Sequence, residues 1–415
     1  MAIRLIVALL LAFVWLYAPV YAQVSPESGE KYNAGQELYK KRRYQEALTA
    51  FDEAVQLDGD NAQAYLAMGT TYEKLRDYGK AIESYGKAAS VKPDYAKAFF
   101  ALGQAQFKTK KYGEAQANFK QVLALDATVG EGKAREYLKV SYMKQGFAYL
   151  RRKSYKQAIQ QYRSASQLDP TDAVTFYNLG LAYRGARSYS KAADALSTAA
   201  DLDPTYAKAH KSLGDLYRTT KKYSQAARAY GRAIDADKKY KDAYLSLAQA
   251  YLKTTQPTKA VSTLKRAAAN IGNDSRIYLT MGSAYANRAG IHKKAGRTED
   301  ATSSFKLARD AYLRALKIKS KYPEARYRLA DAYLELNQYK SAIASARKAL
   351  GSRRYSVPAN VIMGDAYEAI KAEGWKEKAI SHYEKGLKDR RYKKYCEDKI
   401  DRIKNPMGID EEEEE

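Results

Sequence analysis

The sequence predicts an all-α fold, a right-handed α-solenoid of about ten antiparallel helix hairpins closed by a C-terminal capping helix. Three observations lead there. Small residues recur 34 positions apart, at Gly35, Gly69 and Gly103, again at Gly146, Gly180, Gly214, Ala248 and Gly282, and again at Ala330 and Gly364. All but Gly282 are followed at a fixed interval by an alanine that marks a second helix: Ala47, Ala81, Ala115, Ala158, Ala192, Ala226, Ala260, Ala342 or, slightly shifted, Ala379. Four residues beyond most of these alanines stands a large apolar side chain, Phe51, Tyr85, Phe119, Tyr162, Leu196, Tyr230, Leu264 or Tyr383, with a small residue three later, which is one helical face. Two such helices pack closely where Gly or Ala lets the backbones approach and a ring from the second helix enters the gap. Neither buries its apolar face alone, so the hairpins must stack.

Taken in order, residues 1–22 read as an export signal. Met1 to Arg4 carries one positive charge, Leu5 to Val20 is unbroken apolar sequence, and Val20 and Ala22 offer small residues for cleavage before Gln23. The alternative is a retained membrane anchor, since the run is just under a comfortable span. No cysteine stands near the cleavage site, which argues against a lipid-modified terminus.

The solenoid is expected over residues 28–390, with hairpins near 28–61, 62–95, 96–129, 139–172, 173–206, 207–240, 241–274, 275–322, 323–356 and 357–390. Breaks between hairpins fall at Lys92-Pro93, Asp169-Pro170 and Asp203-Pro204, where the preceding helix must stop. The turn within the hairpin carries Tyr44, Tyr78, Tyr112, Tyr155, Tyr189, Tyr223 or Tyr339, and Pro257 in one repeat.

The register breaks twice. Nine added residues lie within Thr128 to Leu138 and read as a loop plus an extension at the start of the next helix. Fourteen lie between Gly282 and Ala330, close to four turns at 3.6 residues each, so the hairpin from about Ser275 to Tyr322 should be two turns longer in each helix. Its stripe of Ala301, Phe305, Ala308, Tyr312 and Ala315 supports this, and a longer hairpin should project as a length variant or a docking element. Residues 391–404 form the capping helix, with Tyr392, Tyr395, Cys396, Ile400 and Ile403 on an otherwise charged segment. Residues 405–415 form an acidic tail expected to be disordered.

Composition narrows function. With 46% hydrophobic and 29% charged residues the body is that of a soluble folded protein. Its single cysteine, Cys396, excludes a dithiol redox site and an intramolecular disulfide, and should pack as a small apolar residue. The net charge of +25 favours anionic partners over long range or simply keeps the scaffold soluble. With three histidines, no zinc-ligand spacing and no glycine-rich phosphate loop, the chain reads as a non-enzyme without metal or cofactor. His210 stands where other repeats carry Tyr65, Phe99, Phe176 and Tyr244, so it is expected to pack.

The run Tyr65, Met68-Gly69, Tyr72, Ala81, Tyr85, Ala88 and Pro93 resembles the tetratricopeptide repeat family, and the resemblance extends over nearly all of the chain after residue 28. It implies a concave groove lined by first-helix residues not used in packing. Mapped repeat by repeat, these are Tyr32, Gln36, Tyr39, Lys40, Lys74, Phe100, Gln104, Phe107, Lys108, Met143, Phe147, Arg151, Tyr177, Asn178 and Arg184. Tyr72, Tyr149, Tyr183, Tyr217, Tyr251, Tyr285, Tyr333 and Tyr367 share a core place instead. Aromatics alternating with Lys and Arg suit an extended peptide with apolar anchors and carboxylate groups. The family's carboxylate clamp for chaperone tails is not matched, for Tyr32, Gln36 and Ala67 stand at its places. The expectation is a periplasmic or secreted scaffold holding a protein or peptide partner, with an anionic envelope polymer such as lipopolysaccharide, peptidoglycan or acidic polysaccharide as the alternative. Export argues against nucleic acid.

Overall fold

A computed structural model of the chain describes residues 25–130 and 132–405. The export segment and the acidic tail from Pro406 onward lie outside the described residues. Among the described residues every regular element is an α-helix.

The chain divides into two compact units, at Ser188 and Tyr189. In unit 1 the helices are α1 (Pro26–Lys40), α2 (Tyr44–Leu57), α3 (Ala62–Lys74), α4 (Tyr78–Val91), α5 (Ala96–Lys108), α6 (Tyr112–Leu125), α7 (Ala134–Arg151), α8 (Tyr155–Leu168) and α9 (Ala173–Gly185). In unit 2 they are α10 (Tyr189–Leu202), α11 (Ala207–Thr219), α12 (Tyr223–Ala236), α13 (Lys241–Lys253), α14 (Pro257–Ile271), α15 (Ser275–Lys294), α16 (Thr298–Ile318), α17 (Pro323–Glu335), α18 (Tyr339–Arg347), α19 (Ser356–Ile370), α20 (Trp375–Gly386) and α21 (Lys393–Lys404). Within each unit consecutive helices pack as antiparallel hairpins, and each hairpin stacks on the next. The tyrosines expected in the turns are the first residues of the second helices.

The spacing of Gly and ring has a direct cause. A Cβ added at Gly35, Gly69, Gly103, Gly146, Gly214 or Gly364 would lie 2.5–3.0 Å from the ring of Phe51, Tyr85, Phe119, Tyr162, Tyr230 or Tyr383 in turn. The rings sit flat against bare helix backbone. These six second-helix rings are almost wholly enclosed, whereas the first-helix series is enclosed at Tyr285 and only half-buried at Tyr72, Tyr149, Tyr183, Tyr217, Tyr251, Tyr333 and Tyr367. The outer face of Tyr72 carries the Lys80 ammonium at 5.5 Å from the ring centre.

A polar joint fastens the first two hairpins. Buried Asn61 caps α3 by accepting from the Ala64 amide at 3.0 Å, and its amide nitrogen donates to Ser28 Oγ at 2.9 Å. Ser28 in turn donates to the Ala54 carbonyl, so no member of this buried set is left unpaired.

The turns inside the hairpins share one backbone feature that the sequence does not announce. Arg42, Arg76, Lys110, Lys153 and Arg187 in unit 1, and Lys221, Thr255, Asn337 and Lys371 in unit 2, all have left-handed φ between +51° and +64°. At the first of them the Arg42 amide bonds the Tyr39 carbonyl and the Arg43 amide bonds the Leu38 carbonyl, a Schellman closure of α1. A glycine is the usual occupant of such a place, and Gly296 holds it in the long hairpin. A basic side chain there opposes the steric cost with its attraction to the helix C-terminus.

Both register breaks have local structures. α7 has 18 residues where α3, α5 and α9 have 13, and the loop before it turns at Gly130 and Gly132, both with positive φ. α15 and α16 have 20 and 21 residues, and the predicted stripe from Ala301 to Ala315 is buried. The far end of α15 is tied to the next hairpin by Lys293 and Glu335 at 2.7 Å. Cys396 is buried against Gly386 in the cluster that α21 closes, and burial pushes its thiol up to about 11. His210 is buried, with Nε2 3.1 Å from the Pro204 carbonyl.

Candidate functional site

The first-helix face of unit 1 sorts the expected groove residues into three settings. Tyr32, Gln36 and Tyr39 of α1 line a cleft of about 130 Å³ with Gln63, Leu66 and Thr70 of α3, closed by Tyr95. Its floor is the Phe51 ring, 5.9 Å from that of Tyr32. Gln36 Nε2 donates to the Tyr32 hydroxyl at 3.1 Å, so the amide is tied to the α1 wall of the cleft. Tyr39 packs on Tyr44 at 5.5 Å, and burial raises its pKa. Gln63, Leu66, Thr70 and Tyr95 escaped the sequence mapping. Leu66 and Thr70 stand 34 residues after Tyr32 and Gln36, so the register alone could have found them.

Phe100, Phe107 and Met143 belong to the second setting, and here the expectation of free anchors needs correcting. Tyr137, from the extended start of α7, places its ring 6.0 Å from Phe100, 5.6 Å from Phe107 and 5.3 Å from Phe119. Gly130 passes so close over Phe100 that no Cβ could fit. Met143 packs in the same cluster. The inserted residues thus cover the aromatic surface that α5 would otherwise present. Gln104 remains half-buried beside it.

In the third setting, Phe147 keeps 54% of its surface exposed and is the clearest apolar anchor on this face. Lys40, Lys108 and Arg151 are the last residues of their helices, as is Lys74 of α3, so these cations gather at the turn edge rather than in the cleft. Lys108 pairs with Glu73 at 2.9 Å and Lys40 with Glu37 at 2.7 Å. Arg184 is half-buried near the end of α9, Tyr177 is half-buried, and the Asn178 amide is committed to the Val174 carbonyl at 2.9 Å. Among the described residues no group of three or more His, Cys, Asp or Glu is placed to hold a metal ion, and no helix is long and apolar enough to cross a membrane.

A stack of helix hairpins with side-chain-sized clefts on its first-helix face has the build of a helical repeat scaffold. Sequence models described as TPR repeat match residues 35–75, 77–110 and 146–185, and models described as tetratricopeptide repeat match 96–128, 177–227, 217–287 and 293–357. The chain belongs to the tetratricopeptide repeat family, whose members generally act as protein-interaction scaffolds. No curated protein matches it in sequence. Solved structures similar to it include the P58(IPK) TPR domain, with 18% identity, 91% of this chain and 97% of that chain covered and a TM-score of 0.33. For yeast Tom70 the values are 14%, 91%, 95% and 0.39. For a tetratricopeptide repeat protein from Parabacteroides merdae ATCC 43184 they are 13%, 64%, 99% and 0.41.

Proposed function

We propose that this chain is an exported, non-enzymatic scaffold of the cell envelope that holds a protein or peptide partner on the first-helix face of unit 1. The cleft between α1 and α3 carries the reading. It offers two amides, Gln36 and Gln63, to a peptide backbone and an aromatic floor to one side chain. Exposed Phe147 supplies a second apolar contact on the same kind of face. The composition of residues 1–22 supports a periplasmic or secreted location. Capture of partners by the purified mature chain from an extract of the source cells tests this reading. The expected result is a protein retained at moderate salt and lost with Gln36→Ala or Phe147→Ala. Retention unchanged by both substitutions would overturn it.

A second reading, binding of an anionic envelope polymer, is favoured by one observation. The five left-handed turn positions of unit 1 are Arg42, Arg76, Lys110, Lys153 and Arg187, all exposed and none in an ion pair with a described residue. Glycine is the natural replacement there, since it adopts positive φ without cost. Arg76→Gly, Lys110→Gly and Lys153→Gly together should preserve the melting temperature while weakening retention on immobilised lipopolysaccharide or acidic polysaccharide and flattening its salt dependence. Retention indifferent to salt would exclude this mechanism.

A further inference from the structure

The first-helix register that builds the cleft of unit 1 recurs at the end of unit 2 with different chemistry. Tyr327 and Asp331 of α17 stand at the places of Tyr32 and Gln36, Val361 and Asp365 of α19 follow 34 residues later, and Tyr395 and Lys399 of α21 continue the series. The capping helix therefore serves as one more first helix. Between these three helices lies a cleft of about 360 Å³, walled by Tyr327, Leu334, Val361, Tyr392 and Tyr395, with Arg391 at its lining and both aspartates inside it.

The two carboxyls are not equivalent. Asp365 Oδ1 accepts hydrogen bonds from the hydroxyls of Tyr383 at 2.8 Å and Tyr395 at 2.7 Å. Asp331 accepts none from any described residue. The cations around it are committed elsewhere: Lys293 to Glu335 at 2.7 Å, Lys399 to Glu368 at 2.8 Å, and Arg391 to Asp389 at 2.6 Å. Arg328 lies over the Tyr327 ring at 5.4 Å, makes no ion pair with Asp331, and has its buried Nε unpaired. In a chain with a net charge of +25, this cleft presents a carboxylate that forms no ion pair with any described residue, framed by tyrosine rings. An unpaired carboxylate and aromatic walls are the two elements that recognise an organic cation.

We propose that the cleft formed by α17, α19 and α21 receives a cationic side chain, the ammonium of lysine or the guanidinium of arginine, from a peptide partner, with Asp331 as counter-ion and the rings of Tyr327, Tyr392 and Tyr395 as walls. The proposal rests on the reading of the first-helix face as a peptide surface, but it concerns a separate cleft. Burial, reinforced by Glu335 and Asp365 and opposed by Arg328 and Lys293, raises the Asp331 pKa to about 6. Loss of the proton creates the partner for the cation, so affinity should rise as pH increases through that value.

The test is methyl NMR of the mature chain with uncharged alanine-based pentapeptides carrying one central lysine, arginine or norleucine. The lysine or arginine peptide, or both, should shift the methyl signals of Leu334, Val361 and Ile362, and which of them does so identifies the preferred cation. Asp331→Asn should weaken that binding roughly tenfold or more, Tyr327→Leu should weaken it less, and binding should fall as pH drops below about 6. Equal shifts with the norleucine peptide, no shift with either cationic peptide, or undiminished binding to Asp331→Asn would overturn the proposal. Failure here with partner capture still dependent on Gln36 and Phe147 would remove this cleft alone. The reverse pattern would remove the unit 1 reading and leave the cation site standing.

Discussion

Gly69→Ala should destabilise unit 1 by about 2 kcal/mol, while Gly86→Ala, one helix later, should stabilise it by about 0.5–1 kcal/mol. Both glycines lie inside helices, α3 and α4, where alanine is intrinsically better by roughly 1 kcal/mol. The surroundings decide the sign. At Gly69 the new Cβ would stand 2.5 Å from two carbons of the Tyr85 ring, and nothing lies within 4 Å of a Cβ at Gly86. The ring cannot retreat, because Tyr85 is 1% exposed and its hydroxyl donates to Glu73 at 3.1 Å. Overpacking of about 1–3 kcal/mol, at the upper end here, then exceeds the gain in helix propensity. Urea unfolding of the two variants and the parent checks both signs, and equal responses would mean that the glycine does not serve the ring.

Asp331→Asn should raise the stability of unit 2 by about 1–3 kcal/mol at neutral pH and leave it unchanged near pH 3. The direction follows from the pKa. Burial lifts the Asp331 carboxyl from 3.8 to about 6 in the folded chain, so the proton is held more tightly there than in the unfolded chain. A raised folded value contributes stability that is fully present below about 3.8 and lost as pH rises through about 6. Above that window the ionised group opposes folding. Asparagine fills the same space without the charge and forfeits no hydrogen bond. Unfolding midpoints of parent and variant should therefore coincide in acid and separate between about pH 4 and 6. A variant less stable than the parent at pH 7 would show that Asp331 is compensated after all. The same substitution is expected to weaken the proposed cation binding, which would set stability against binding at one side chain.

The hairpin was legible because its cause is local and repeated. A glycine or alanine, an alanine and a ring at fixed offsets state that two backbones meet, and the contacts of Gly35 with Phe51 and of Gly214 with Tyr230 are that statement in atoms. The two added turns in α15 and α16 were legible for the same reason, since Ala301 to Ala315 keep the helical period. The candidate face was only half legible. Tyr32, Gln36 and Tyr39 line a cleft as the register implies, but Tyr137 comes from residues outside the 34-residue unit, and nothing in periodicity says where an inserted ring will rest. Asp331 was invisible because a single acid on a helix of mixed polarity reads as solvated. Its isolation emerges only when the partners of Lys293, Lys399 and Arg391 are known. The left-handed turns were hidden too, since lysine and arginine do not advertise positive φ as glycine does.

The rings seated on glycine also tie side-chain motion to backbone motion. Phe51 and Phe119 are fully enclosed, each with one face against the bare backbone of the facing helix. A half-turn of such a ring sweeps its edge through space the facing helix occupies, so it can occur only while the hairpin is momentarily parted. The exchange of the two ring edges therefore clocks the breathing of that one hairpin. Because the glycine and ring recur along the chain, each repeat that carries a phenylalanine reports its own opening without an added probe.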